Sequence, residues 1–245
     1  MARLRALFVA LGLLLASMLP ALAADNALLN VIGYSADGHY FAFEEFGVHD
    51  GSGFAFSNVF VIDLTADSFV AGAPFVAVAD DAHSDRPLAD VRAEASKAAA
   101  PALKRYAIGN PAEIWTMLGD GVGKMDGKTM SWSIPNCCSP GSTEDKVFSL
   151  KLTTFSMAPT KECDSLIEQA PLGFALSLSD SSAPTSSEIH RDKTLPKSRG
   201  CTEDYRLYAV VAPFNDFDHL VAIVSYYPFG FEGTDQRFLA VPIDQ

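Results

Sequence analysis

Alternation of apolar and polar residues constrains this 245-residue chain more than any other feature. Phe148, Leu150 and Leu152 alternate with Ser149, Lys151 and Thr153, and Phe174, Leu176 and Leu178 alternate with Ala175, Ser177 and Ser179. Successive side chains of a strand point to opposite faces, so a period of two predicts half-buried strands. Aromatic and β-branched runs at 40–46, 58–64, 205–212, 220–227 and 238–243 extend the pattern, with weaker ones at 75–79 and 129–134. One segment breaks it. Residues 87–100 are rich in Ala, and Leu88, Val91 and Ala95 share one helical face. Asp85 is placed to cap that helix, Pro87 suits its first turn, and Pro101 is expected to break or kink it. The fold class expected is mainly β: an antiparallel sandwich or open meander with one packed helix. A small propeller-like arrangement is the alternative.

The beginning of the chain sets the chemistry of its cysteines. Arg3 and Arg5, an apolar run over 6–18 and the close Ala21-Leu22-Ala23-Ala24 are the three parts of a secretory signal peptide. Cleavage is expected after Ala23 or Ala24, leaving 25–245 as a single β-rich exported domain. A spanning helix needs about 20 apolar residues, and Pro20 interrupts this run early. The expected product is soluble, periplasmic or secreted, with no stable membrane insertion. In such a compartment Cys137, Cys138, Cys163 and Cys201 are expected to form disulfides. A bond between adjacent Cys137 and Cys138 closes a strained ring, so each of that pair is expected to join Cys163 or Cys201, giving two disulfides. Neither a CxxC pair nor a Cys/His spacing typical of zinc is present.

Composition excludes one class of partner. A formal net charge of −12 with no basic run gives nothing to neutralise phosphates, so nucleic acid is not expected. No HExxH, P-loop or GxSxG occurs; Gly33-Tyr34-Ser35-Ala36-Asp37 lacks the closing Gly of a nucleophile elbow. Glu44 and Glu45 are adjacent in a strand and so face opposite ways, which prevents them from acting as a glycosidase pair. One is expected to be solvated and the other hydrogen-bonded within the sheet. His39, His49 and Asp50 are the residues a hairpin could gather into a zinc site, but no spacing supports it. The stretch 119–127 resembles a calcium loop only in its Asp120 and Asp126. Val122, Lys124 and Ser131 stand where the calcium pattern needs ligands. No metal or cofactor is expected.

Two loops are the best candidates for contact with a ligand. Residues 47–57 offer Asp50, Phe54 and Phe56, and residues 228–236 offer Phe229, Phe231, Glu232 and Asp235. Exposed aromatics on glycine-rich loops mark contact surfaces, whereas aromatics folded back would cover the ends of the sheet. The segments holding these loops resemble each other, His39 leading through one to Asp63 and His219 through the other to Asp244. The polar stretch 180–200, just before Cys201, reads as an exposed excursion.

The run from Tyr34 to Phe43, with Ser35, Asp37 and Gly38 in its turn, resembles a blade motif of TolB-type β-propellers, completed by Phe60-Val61-Ile62-Asp63. The motif occurs once, where a closed propeller repeats it per blade. A wider resemblance starts at Phe41-Ala42-Phe43-Glu44-Glu45-Phe46-Gly47 and runs through Asp50-Gly51-Ser52-Gly53-Phe54 to 58–64. The Ala-rich helix and the late aromatic strands share it. These features are similar to a family of bacterial predicted secreted proteins of unknown function, which implies an envelope protein and brings no catalytic residues.

The function expected from the sequence is an exported, non-catalytic module that binds a small ligand or an envelope protein. An exported hydrolase using dispersed carboxylates, and a metal-binding accessory protein, are the alternatives.

Overall fold

The computed structural model describes residues 24–118, 126–135, 144–181, 185–231 and 233–243. The expected leader up to Ala23, the pair Cys137 and Cys138, most of the glycine-rich stretch at 119–127, and Glu232 lie outside the described residues. Fourteen strands among the described residues form three antiparallel sheets.

In the first sheet β1 (Leu28–Ser35), β2 (Tyr40–Val48) and β3 (Ala55–Asp63) run as a meander. The short β4 (Ser68–Phe69) and β5 (Phe75–Val78) share the outer edge of β3, and β6 (Ile108–Asn110) extends the sheet beyond β1. The middle sheet contains β7 (Ala112–Met117), β12 (Thr202–Pro213), β13 (Leu220–Pro228) and β14 (Arg237–Ile243), with β14 at one edge. The outer sheet contains β8 (Thr129–Ile134), β9 (Lys146–Ser156), β10 (Leu172–Asp180) and β11 (Ser187–Arg191). The main helix, α1, spans Leu88–Arg105, and α2 is a single turn at Cys163–Leu166.

Side-chain direction turns these sheets into layers. On β13, Leu220, Ala222 and Val224 join a core with the outer sheet, while Val221 and Ile223 join a core with the first. The middle sheet is therefore buried on both faces along β13 and most of β12, which explains why these read as near-unbroken apolar runs while β9 and β10 of the outer sheet alternate. Each of these Val, Leu and Ile side chains contributes roughly 1.5–3 kcal/mol when fully buried. Buried Tyr34 of β1 donates its hydroxyl to the Val211 carbonyl at 3.1 Å, tying the first sheet to the middle one. On the far side of the first sheet, Val91, Ala95 and Ala99 of α1 pack on Ala55, Val59 and Ala77. The order is helix, first sheet, middle sheet, outer sheet. These are stacked layers rather than the ring of equivalent blades that a propeller requires.

Several expectations are corrected. Pro87, not Asp85, holds the N-cap position of α1, and no side chain caps it. The helix also runs through Pro101 to Arg105. Proline removes one main-chain bond here but sits on the exposed side, while Ala99 and Leu103 continue the buried face. The stretch 180–200 is no simple excursion, because β11 pairs with β10 inside it. Cys163 and Cys201 are bonded to each other across 38 residues, so neither pairs with Cys137 or Cys138 as expected. The chain itself brings them together: α2 and the start of β12 sit side by side. Strand β1 escaped notice because Asn30 and Gly33 interrupt its pattern. Gly33 holds φ of +141° and lies so close to β6 that a Cβ would come within 2.5 Å of the Asn110 carbonyl.

Candidate functional site

The three sheets do not meet edge to edge, and a cavity of about 360 Å³ remains where they converge. Phe43 of β2 and Ile62 of β3 form one wall, with Phe69 of β4. Leu239, Ala240 and Val241 of β14 form the opposite one. Three successive residues line it because β14 is an edge strand presented side-on. The remaining boundary is mostly polar: Asp67 before β4, Ser68 of β4, His190 of β11, and Ser198 and Arg199 beside Pro196 in the turn leading to Cys201.

The polar end is organised around a buried carboxylate. Asp192 accepts the Phe174 main-chain N–H at 2.9 Å, Arg199 Nη1 at 2.7 Å and His190 Nε2 at 3.2 Å. Burial would raise its pKa, but these donors outweigh burial and hold it below the ordinary carboxylate value. Burial pulls His190 the other way, toward the neutral form. Its contacts with Asp192 and Asp67 prevail and push it up to about 9, so it is a cation at neutral pH. Its Nδ1 lies 3.8 Å from Asp67 Oδ2, longer than a hydrogen bond. The ring stacks on Phe174 at 4.7 Å, and the Arg199 guanidinium covers the same ring at 5.2 Å. An imidazole protonated at neutral pH with a carboxylate at each nitrogen is not arranged as a general base. What the arrangement offers is two fixed cations beside an apolar wall.

The loops singled out from sequence occupy another part of the molecule. Asp25 clasps them together: its carboxylate meets His49 Nδ1, accepts the Asp50 N–H at 2.6 Å, and lies 3.4 Å from Arg237 Nη2. Its own N–H donates to Asp235 Oδ1 at 3.1 Å. Phe56 is buried between the His49 ring and the Arg237 guanidinium, and Phe54 packs against the core beneath α1. Phe229 lines a cavity of about 500 Å³ with Leu166 and Leu172 and touches a second of about 350 Å³ beside the disulfide. Phe231 is 92% exposed and meets Phe229 edge-on. Asp50 is exposed and contributes its main chain rather than its carboxylate. None of these residues lines the cavity between the sheets.

Glu44 and Glu45 face opposite ways, but both are buried, which corrects the expectation that one is solvated. Arg92 of α1 grips Glu44 with Nε at 2.9 Å and Nη2 at 2.7 Å; Ser57 and Asn30 fill its other acceptor positions. Burial would raise the Glu44 pKa, but these bonds carry it below the usual value. For Glu45 burial prevails and raises the pKa despite bonds from Asn58 and the Phe238 N–H. A hydrolase needs such a separated pair in one pocket, and these two diverge from opposite faces of β2. His39 and His49 stand at opposite ends of β2, so the hairpin does not gather them. Among the described residues no three His, Cys, Asp or Glu side chains are arranged around a metal position.

Sequence reasoning missed Asp67, His190 and Arg199. The only local trace is the spacing His190-x-Asp192 followed by Arg199 just before Cys201, inside a stretch that reads as polar loop. The apolar wall comes from β2, β3 and β14, whose proximity is a property of the layering.

The stacked sheets and the Cys163–Cys201 bond define a disulfide-bonded β protein suited to an oxidising compartment. Residues 42–244 match the family described as Predicted secreted protein (DUF2259), and the chain belongs to that family. This agrees with a secreted or periplasmic location, and no described helix is long and apolar enough to cross a membrane. Among curated proteins none matches the chain.

Proposed function

We propose that the protein is an exported, non-catalytic binding module whose small-ligand site is the cavity between β4, β14 and the turn after β11. One observation carries this reading: a cavity of about 360 Å³ with apolar walls ends at a cluster whose cations are not fully used. Ligand sites are typically apolar concavities with a few convergent polar groups, held by rigid elements. The cavity near Phe229 is larger, but α2 and loop residues line much of it and no such charge cluster ends it.

The test is a blocked mutant. Ser68→Trp places a large side chain at the mouth from an exposed position. It is expected to leave the melting temperature within about 2 °C, as surface changes do. A ligand at 100 times its dissociation constant adds about 2.7 kcal/mol to the wild type, and Ser68→Trp should lose that gain. Equal stabilisation of both proteins contradicts the reading.

The exposure of Phe231 favours a second reading, a protein contact around Phe229, Phe231 and Leu166. Phe231→Ser then weakens capture of an envelope partner without changing the response of the cavity to small ligands. Unchanged capture counts against that contact.

A further inference from the structure

We infer that the cavity takes the carboxylate end of an apolar molecule, with its head on Arg199 and His190 and its body along Phe43, Ile62, Phe69 and Val241. This rests on the cavity being the ligand site and adds the chemistry of the ligand. Three features of the cluster point to an anionic head.

The first is the balance of charge at the cavity wall. Arg199 and His190 line it, and both are shielded from water, with side chains 12% and 15% exposed. Asp192, the anion they share, is 4% exposed and does not line the cavity, which leaves Asp67 as the one carboxylate among its lining residues against two cations. Second, neither cation is saturated by carboxylates. Arg199 gives Nη1 to Asp192 and also interacts with Tyr205; with five N–H donors, the guanidinium keeps some for a second oxyanion. His190 gives Nε2 to Asp192, and its Nδ1 faces only Asp67 at 3.8 Å. Third, Asp67 shows what fits there. It is a carboxylate at the end of an exposed turn, with its side chain 49% exposed, held at φ of +45°. It lies near enough to His190 to feel its charge and too far to bond it. A ligand carboxylate entering along the apolar wall takes the place that Asp67 approaches, and the turn yields.

The body of the ligand has two chemical sources. A fatty acid uses the apolar wall alone. The carboxyl end of a short apolar peptide also finds Ala240 on the outer side of β14, where the Phe238 N–H is already given to Glu45 and Pro242 has no N–H to offer.

Calorimetry at pH 7 on the full exported chain tests this with five probes: decanoate, decanol, decylamine, N-acetyl-leucyl-valine and its C-terminal amide. Each acid is expected to bind at least tenfold more tightly than its neutral counterpart. Asp67→Asn removes the competing charge while Asn tolerates the same left-handed backbone; it should tighten the acids severalfold and leave decanol unchanged. A tenfold preference for the peptide acid over decanoate identifies a chain end as the source, and the reverse identifies a fatty acid. Equal binding of acids and neutral probes overturns the carboxylate assignment. So does tightest binding by decylamine that Asp67→Asn abolishes, because the anchor is then Asp67. In both cases the cavity remains the ligand site, provided Ser68→Trp still blocks it. Binding that Ser68→Trp does not affect overturns the site itself.

Discussion

Two buried ionic clusters sit in this fold, and they are finished to different degrees. Around Glu44 everything is paired. Both carboxylate oxygens accept two bonds, the Arg92 fork is spent on them, and the Phe46 ring lies 3.7 Å from that guanidinium. This cluster fastens α1 to the first sheet, and its carboxylate is fully used. Around Asp192 the anion is equally well served, but the cations are not. Arg199 and His190 spend one contact each on it and turn toward a cavity. On the proposed reading, the donors left over on Arg199 and His190 are the ones a ligand would use. The difference is visible in which partner is incomplete rather than in how many charges are buried.

The sharpest way to separate them is to break the closed one. Glu44→Ala empties a buried position and leaves the Ser57 hydroxyl without its acceptor, while Arg92 stays in reach of water; it is expected to cost about 3–5 kcal/mol, read as a lower midpoint in urea. Ligand binding by the remaining folded protein should be unchanged. The disulfide comes next, because Cys201 follows Arg199 by two residues and anchors that side of the cavity. Opening the Cys163–Cys201 loop of 38 residues as Cys163→Ser with Cys201→Ser is expected to cost about 3–4 kcal/mol in the chain-entropy model. Here ligand affinity should fall too, since the turn carrying Arg199 is released.

The open cluster has its own signature in pH. In the folded protein His190 keeps its proton up to about 9, against an ordinary value of 6.5. Its contribution is therefore complete below pH 6.5 and disappears as the pH rises through 9, a loss on the order of 2–3 kcal/mol. Denaturation midpoints measured from pH 6 to 9.5 should decline for the wild type. In His190→Gln the decline should be largely absent, and an identical decline in both proteins removes His190 as its cause. The smallest effect belongs to the aromatic loop: Phe231→Ser should alter stability by less than about 0.5 kcal/mol, because its ring is almost wholly in solvent.

The contrast also explains what could be read in advance. Period-two patterns marked β9 and β10 of the outer sheet, and apolar runs marked β12, β13 and β14, because each side chain reports its own burial. The stripe of Leu88, Val91 and Ala95 likewise revealed the helix and its packed face. The mostly polar strand β11 was illegible for the opposite reason: it lies at a sheet edge, where pairing with β10 supplies what its side chains do not. The candidate cavity was illegible as well. Asp67, His190, Arg199 and Val241 come from four separated segments, and only the stacking of three sheets brings them to one wall. The aromatic loops stood out because phenylalanine is conspicuous, yet Phe56 is spent inside the core.

The most direct test of the account is methyl NMR on protein labelled at Ile, Leu and Val, titrated with decanoate at pH 7. The account predicts shifts at Ile62, Leu239 and Val241, with Leu166 near Phe229 unmoved, and their loss in Ser68→Trp. Shifts centred on Leu166 with the three cavity methyls silent would contradict it.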